Sequence, residues 1–438
     1  MTETQPWRNW AGTVTARPLR VVRPRTVDEL VAEVRRAAAD GLRVRAVGAG
    51  HSFTDAAVTD GVMVEMAALD RAVIDTATRQ VTVEGGSTLR RLNRRLAAHG
   101  LAMVNLGDID LQTVSGALAT GTHGTGLTLG GLATQVTALE LVLANGAMVR
   151  CAGDEHPELF AAALVGLGAY GVVATVTLQC VPAFLLHARE TPLPLQEVLE
   201  GFDELAALHD HVEAYWFPHT DRALLKRNDR VPDDIRRQPR SWFRSFVDDE
   251  ALANGAYGAA QRVVARRPGR WAPRLQRLAA STWSTSEHVD DSYAIFCSPR
   301  RVRFVEMEYA VPRAALVDVV RDLKRWVEAE REPVTFPVEL RVAAADDIWL
   351  STAHGRETAY VAVHQYHRLP HERWFAHAEA VATAVGGRPH WGKLHGLDAE
   401  SLAGRYPRFA DAVRVRRDVD PGGRFANAYL DRVLGPLD

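Results

Sequence analysis

Lysine is almost missing from this chain. Of its 52 basic residues only Lys226, Lys324 and Lys393 are lysine, and the other 49 are arginine. Under so uniform a preference, a surviving lysine is a candidate for work that a wide, planar guanidinium cannot do, because the ammonium is a compact point charge. Cysteine is as scarce. Cys151, Cys180 and Cys297 are odd in number and far apart, which argues against a disulfide framework or a cysteine zinc site and points to a reducing compartment, the cytoplasm. Excess charge is absent too. The formal net charge is −2, so nothing electrostatic argues for nucleic acid. No apolar run reaches membrane-spanning length, so no integral membrane segment is expected, and the polar opening residues do not read as a secretory leader. What is present is an ordinary composition, 47% hydrophobic and 24% charged over 438 residues, enough for about two or three domains.

Thr26 to Glu29 is a capping box, and Leu30, Val31, Val34, Ala37 and Ala38 follow at helical spacing until Gly41. Strands are expected at Arg43–Val47, Met63–Met66, Val81–Glu84, Leu101–Leu106 and Val172–Gln179. Leu89, Leu92 and Leu96 mark a helix that closes at Gly100, and a second runs from Pro157 to Gly168. Val136–Leu143 and Met148–Arg150 flank Asn145-Gly146 and read as a hairpin. Near residue 184 the chain becomes richer in Trp, Tyr and Arg. Strands follow at Arg303–Tyr309 and Ala359–Tyr366, with an amphipathic helix at Ala314–Glu330. Two arginine-rich stretches, Arg236–Arg244 and Arg262–Arg270, read as solvated faces.

The motifs that carry chemistry sit in loops. Gly48-Ala49-Gly50-His51-Ser52-Phe53 ends a strand in a tight turn, without the lysine of a phosphate-binding P-loop or the third glycine of a dinucleotide fingerprint. Taken alone it is either a turn or an anion cradle. A second loop, Ala119-Thr120-Gly121-Thr122-His123-Gly124-Thr125-Gly126, is dense in small residues, hydroxyls and backbone donors. Two such loops in one unit suggest a ligand with a pyrophosphate in its middle. Glu339 and Arg341 share one face of a strand, where they can hold a polyol hydroxyl or simply pair with each other. His364 lies on an apolar strand, where a core role is the ordinary one. His390 and His395 have half the spacing of a zinc site but no further ligands, so no metal is expected. Lys393, between them, suits stabilisation of a localised anion.

Together the segments 48–53, 119–126, 168–173, 339–341 and 390–395 resemble the aldonolactone oxidoreductases of the vanillyl-alcohol-oxidase flavoprotein superfamily. That group includes L-gulono-1,4-lactone and D-arabinono-1,4-lactone oxidases and dehydrogenases, and the alditol oxidases. The resemblance covers nearly the whole chain. It implies an α+β fold: a two-subdomain PCMH-type FAD-binding domain at 1–183, an α+β cap with an antiparallel sheet for the substrate at 184–387, and a segment at 388–438 that closes the active site and packs back on the FAD domain. It implies FAD held by Gly48, Ala49, Gly50, His51, Ser52, Phe53, Thr113, Ser115, Gly116, Thr120, Gly121, Thr122, His123, Gly126, Gly171 and Val173, with His51 as the point of an 8α-histidyl bond. Lys393, Glu339, Arg341 and His390 are the implied catalytic set, and Glu339, Arg341, His364 and Tyr366 the substrate contacts. The implied reaction removes hydride from a CH–OH group of a sugar lactone to flavin N5, giving an ascorbate-type product. Lys393 then faces the charge at the N1–C2=O edge, and oxygen or another acceptor reoxidises the flavin. Loose membrane association is compatible with the resemblance. His364-Gln365-Tyr366 departs from the alditol-oxidase pattern, which has Thr at the third position, and favours lactones over linear polyols. An alditol oxidase producing hydrogen peroxide, or a non-catalytic flavin- or nucleotide-binding protein, are the alternatives.

Overall fold

The computed structural model describes residues 6–232, 234–240, 257–298 and 302–437. Helix Val27–Ala39 starts where expected. Thr26 accepts from the Glu29 backbone N–H, and the chain leaves through Gly41 at φ +70°, a conformation that costs glycine least. The strand behind it, Val44–Val47, joins Val62–Glu65 and Arg20–Val22 in a parallel three-stranded sheet. A five-stranded antiparallel sheet lies beside it, in the order 148–152, 136–142, 172–179, 80–84, 72–75. Leu30, Val34, Val44 and Val62 from the first sheet layer pack with Val142, Val172 and Ala174 from the second, so one apolar layer joins the two.

Three expectations shift. The strand foreseen at Leu101–Leu106 is only Leu101–Ala102, paired with Val181–Pro182. Its remainder turns inward as Asn105 donates to the Thr125 carbonyl. The helix from Pro157 ends at Ala163. The hairpin at 136–152 turns through five residues, since Val142 faces Met148 directly. Among its loop residues only Gly146 has positive φ, whereas a two-residue Asn-Gly turn needs two.

The second half forms an eight-stranded sheet in the order 286–291, 185–194, 222–230, 211–216, 338–343, 358–366, 304–312, 388–389. Its alternation gives the two faces opposite chemistry. On one face Val212, Ala214, Trp216, Val338, Leu340, Val342, Val361, Val363, Val305 and Met307 pack under helices Leu195–Leu208, Leu316–Glu330 and Glu372–Ala384. The other face carries Glu213, Tyr215, Glu339, Arg341, His364, Glu306 and Glu308. Simple alternation would give these residues to water. Instead they are buried, with Glu306 and Glu308 only 5% exposed, because the N-terminal sheets and the C-terminal segment close over them. Thr125 Oγ1 donates to the Val212 carbonyl, and the Gly126 N–H donates to the Val342 carbonyl at 3.0 Å. From the other end of the chain, Trp391, Leu402, Tyr406, Phe409, Tyr429 and Leu430 complete the apolar core begun by Leu89, Leu92, Val114 and Leu139.

Candidate active site

A cleft with about 910 Å³ of empty volume, its open mouth included, runs between the two N-terminal sheets. Gly48, Ala49, Gly50, His51 and Ser52 line it, with Thr113, Ser115, Gly116, Thr120, Gly171 and Val173 on other walls. Glycine at 48 is a steric necessity, because a Cβ there would lie 2.0 Å from Thr113 Oγ1. Among the described residues, the backbone N–H groups of Ala49, Gly50, His51 and Ser52 donate to no protein acceptor. A row of free donors on an elongated cleft fits a dinucleotide with a pyrophosphate at its middle. Phe53, Gly121, Thr122, His123 and Gly126, expected at the cofactor, lie outside the lining. Phe53 packs on Trp10 and Phe304. Thr122 accepts from Gln112 at 3.2 Å, and Gly121 approaches Trp391. His123 and Gly126 belong to the boundary with the large sheet. Arg45, Gln112, Leu167 and Phe425 line the cleft without having been foreseen. Arg45 is buried and donates to the carbonyls of Ala56, Leu167, Gly168 and Phe425. In a chain with 49 arginines nothing local distinguishes it.

His51 stacks on Trp10, ring centres 5.5 Å apart. Burial, reinforced by the charge of Lys393, pushes its pKa down to about 4, so the imidazole is neutral at neutral pH. The loop that carries it is joined to the loop of Lys393. The Phe53 N–H donates to the Gly392 carbonyl at 2.8 Å, and Ser52 Oγ donates to the same oxygen at 3.2 Å. The Lys393 loop in turn continues the sheet edge, since the N–H groups of His390 and Leu394 donate to the carbonyls of Glu308 and Glu306 at 2.9 Å each.

Two charge clusters occupy the buried sheet face. In the first, Lys393 Nζ pairs with Glu306 and stands 4.0 Å from Glu308. His364 Nε2 is 3.4 Å from Glu306, and His123 Nε2 is 3.2 Å from Glu308. Burial alone would raise Glu306, yet Lys393 and His364 hold it down at about 2. Burial would likewise discharge Lys393, but the two carboxylates outweigh it and its pKa is raised. His390, driven to about 3 chiefly by burial, is neutral. Its Nδ1 accepts from the Gly392 N–H at 3.1 Å, so its proton sits on Nε2. His123 stacks on Tyr360 at 3.5 Å.

In the second cluster Arg341 contacts Asp108, Glu339 and, at 3.2 Å, Glu213. Lys226, another of the rare lysines, holds the far side of Glu213 at 2.9 Å. Tyr215 donates to Glu339 at 3.2 Å. Burial raises Glu339, Arg341 opposes it, and Asp108 and Glu213 push it up again, to about 7. Asp108 and Glu213 carried no sequence signal, and Lys226 only its rarity, because strand register sets Glu213 beside Lys226 and Arg341 while Asp108 arrives from a separate loop. His123, Glu308 and His390 in the first cluster, and the carboxylates of Asp108, Glu213 and Glu339 in the second, lie close enough to share a cation. In each a resident side-chain cation supplies the countercharge. Tyr366 shares the face of His364, while Gln365 points into the opposite layer and accepts from Thr335 Oγ1 at 2.8 Å.

A neutral histidine on a donor-rich cleft, a half-buried ammonium near it and a carboxyl poised near neutrality suit a flavin-linked hydride transfer. The sequence profile of the D-arabinono-1,4-lactone oxidase family matches residues 176–433, and an FAD binding domain matches residues 18–152. This chain belongs to the aldonolactone oxidoreductase family. It is an FAD-dependent oxidoreductase. An L-gulono-1,4-lactone dehydrogenase from Mycobacterium tuberculosis is 42% identical over 432 residues, covering 98% of this chain and 99% of that one. An L-gulonolactone oxidase from Bos taurus is 35% identical over 439 residues, covering 98% of each. An alditol oxidase from Streptomyces is 34% identical over 445 residues, covering 97% and 98%. A solvent-stable cholesterol oxidase of known structure superposes with TM-score 0.85 at 21% identity, covering 99% of this chain and 97% of that one. That likeness concerns the fold. No helix among the described residues is long and apolar enough to cross a membrane.

Proposed function

We propose that this enzyme oxidises the CH–OH group of a sugar-derived lactone of the L-gulono-1,4-lactone or D-arabinono-1,4-lactone type. Residues 1–183 would form the cofactor domain, 184–387 the substrate cap and 388–438 the closing segment. The carrying observation is Arg341 held among Asp108, Glu213 and Glu339 on the buried sheet face, next to the Lys393 cluster and its link to the cofactor loop. Bound FAD supplies the hydride acceptor. Gly48 to Ser52, Thr113, Ser115, Gly116, Thr120, Gly171 and Val173 would hold it. Arg341 orients the lactone oxygens by charge-assisted hydrogen bonds, and Glu339 takes the hydroxyl proton. His364 and Tyr366 bound the substrate on the same face. Lys393 supplies the fixed positive charge, and the neutral His390 can pass on a proton through Nε2.

Anaerobic addition of L-gulono-1,4-lactone, D-arabinono-1,4-lactone and xylitol to the yellow holoenzyme tests this reading. One of the lactones is expected to bleach the flavin fastest. Preferential bleaching by xylitol, or none by any of the three, overturns it. Reoxidation by oxygen against reoxidation by a dye then assigns the acceptor class. His51 is expected to carry the flavin covalently, because its neutral imidazole keeps a nucleophilic nitrogen. Trichloroacetic acid should give a yellow pellet, and a His51→Ala variant a colourless one. A colourless pellet from the parent enzyme rules out the bond.

A further inference from the structure

The arginine-rich stretch around 262–270 is not an ordinary solvated face. Helices Tyr257–Val264 and Pro268–Thr282 hold Arg262, Arg270, Arg274 and Arg277, and the turn between them Arg266 and Arg267, all exposed. No Asp or Glu occurs anywhere from Tyr257 to Ser286. Among the described residues none of the six lies within ion-pair distance of a carboxylate, unlike Arg237 and Arg240 of the earlier stretch, which pair with Asp290 and Glu190. Residues 241–244 of that earlier stretch lie outside the described residues.

Large apolar side chains share this surface. Leu278 is 62% exposed, Val263 51%, Trp283 40% and Trp271 38%. Trp271 and Leu278 are two turns apart on one stripe. The guanidiniums of Arg274 and Arg270 flank the Trp271 ring at 4.8 and 5.6 Å. The opposite stripe is used internally. Gln261 and Gln276 donate to the carbonyls of Thr335 and Val334, and Ala280 packs on Tyr215 and Leu224. The helix pair is thus anchored to the large sheet by one face and presents tryptophan, leucine and, among the described residues, arginine without an acidic partner on the other.

We propose that this helix pair is an interfacial anchor that docks the enzyme on an anionic lipid surface. Tryptophan and leucine enter the headgroup boundary, and the arginines meet the lipid phosphates. Exposed apolar side chains between the arginines favour lipid over a nucleic-acid backbone, which rewards charge alone. The inference is independent of the substrate, because none of these side chains belongs to the charge clusters of the active site.

Cosedimentation of the holoenzyme with vesicles of phosphatidylglycerol and phosphatidylcholine in equal parts tests it. The enzyme is expected to bind these vesicles, to bind pure phosphatidylcholine far more weakly and to be released by high salt. R270A/R274A is expected to bind about thirtyfold more weakly, at roughly one phosphate-facing charge per arginine. W271S/L278S should also lose binding, and both variants should keep parental lactone turnover in free solution. Failure of the parent to bind anionic vesicles overturns the proposal. So does vesicle binding indifferent to both variants, or arginine-dependent binding to duplex DNA without binding to vesicles.

Discussion

Lys393→Met is expected to slow anaerobic bleaching of the bound flavin by lactone about 10²- to 10³-fold, the loss typical of removing one preorganised electrostatic partner. The ammonium is fixed before substrate arrives. Glu306 and Glu308 keep it charged against the pull of burial, and its field already reaches His51 on the cofactor loop. A water-exposed lysine would have to be reorganised during the reaction, whereas this one needs no such step. The substitution has a second effect. It leaves two buried carboxylates short of a cation, and breaking a buried pair costs about 3–5 kcal/mol. A double variant, Glu306→Gln/Lys393→Met, relieves that charge imbalance while still lacking the ammonium. Stopped-flow reduction rates and melting temperatures on both proteins separate the two effects. A double variant that regains stability and stays slow supports the electrostatic role. Parental bleaching rates in either protein sink it.

Glu339→Gln is expected to lower kcat/KM about 10²- to 10⁴-fold, the usual range for a lost general base, and to change the pH profile. A proton acceptor works only when ionised. With its pKa pushed up to about 7, Glu339 is mostly protonated at pH 6 and mostly charged at pH 8. The kcat/KM of the parent enzyme should therefore rise through neutrality and level off above it. The Gln variant should be slow and lack that rise. A flat profile in the parent enzyme between pH 6 and 8 removes Glu339 from the proton path. Because Asp108 and Glu213 contribute to holding Glu339 up, Asp108→Asn should move the rise toward lower pH, a shift that mere loss of packing does not produce.

The loops and their glycines were legible in the chain. Their demands are local: a φ near +68° at Gly50 and a close approach to Thr113 at Gly48. Helix Val27–Ala39 was legible for the same reason, since its cap and its stop lie within a few residues of it. Glu339 and Arg341 were visible as a pair, but their setting was not. Asp108, Glu213 and Lys226 come from separate stretches of sequence and meet only through register and closure of the sheets. Glu306 and Glu308 alternate with Val305 and Met307 as surface residues would, and become buried because another part of the chain lies over them. Burial of that kind leaves no periodic trace. His123 misled for a related reason. Its loop looks uniform in sequence, yet the chain turns so that the histidine faces Glu308 instead of lining the cleft.

The Gly392 carbonyl, bonded from Phe53 and Ser52, and the Asn427 side chain, which donates to the carbonyls of Asp55, Ala56 and Val58, bear on how the protein is made. Both clasps come from residues after 390 and fasten the first glycine loop and the residues just past it. A ribosome that has synthesised the first three hundred and eighty residues has produced the first glycine loop but not the residues that clasp it. On this wiring, the first cofactor loop is clasped only once residues 392 and 427 have been made, and a product cut short before them is left with that loop unclasped.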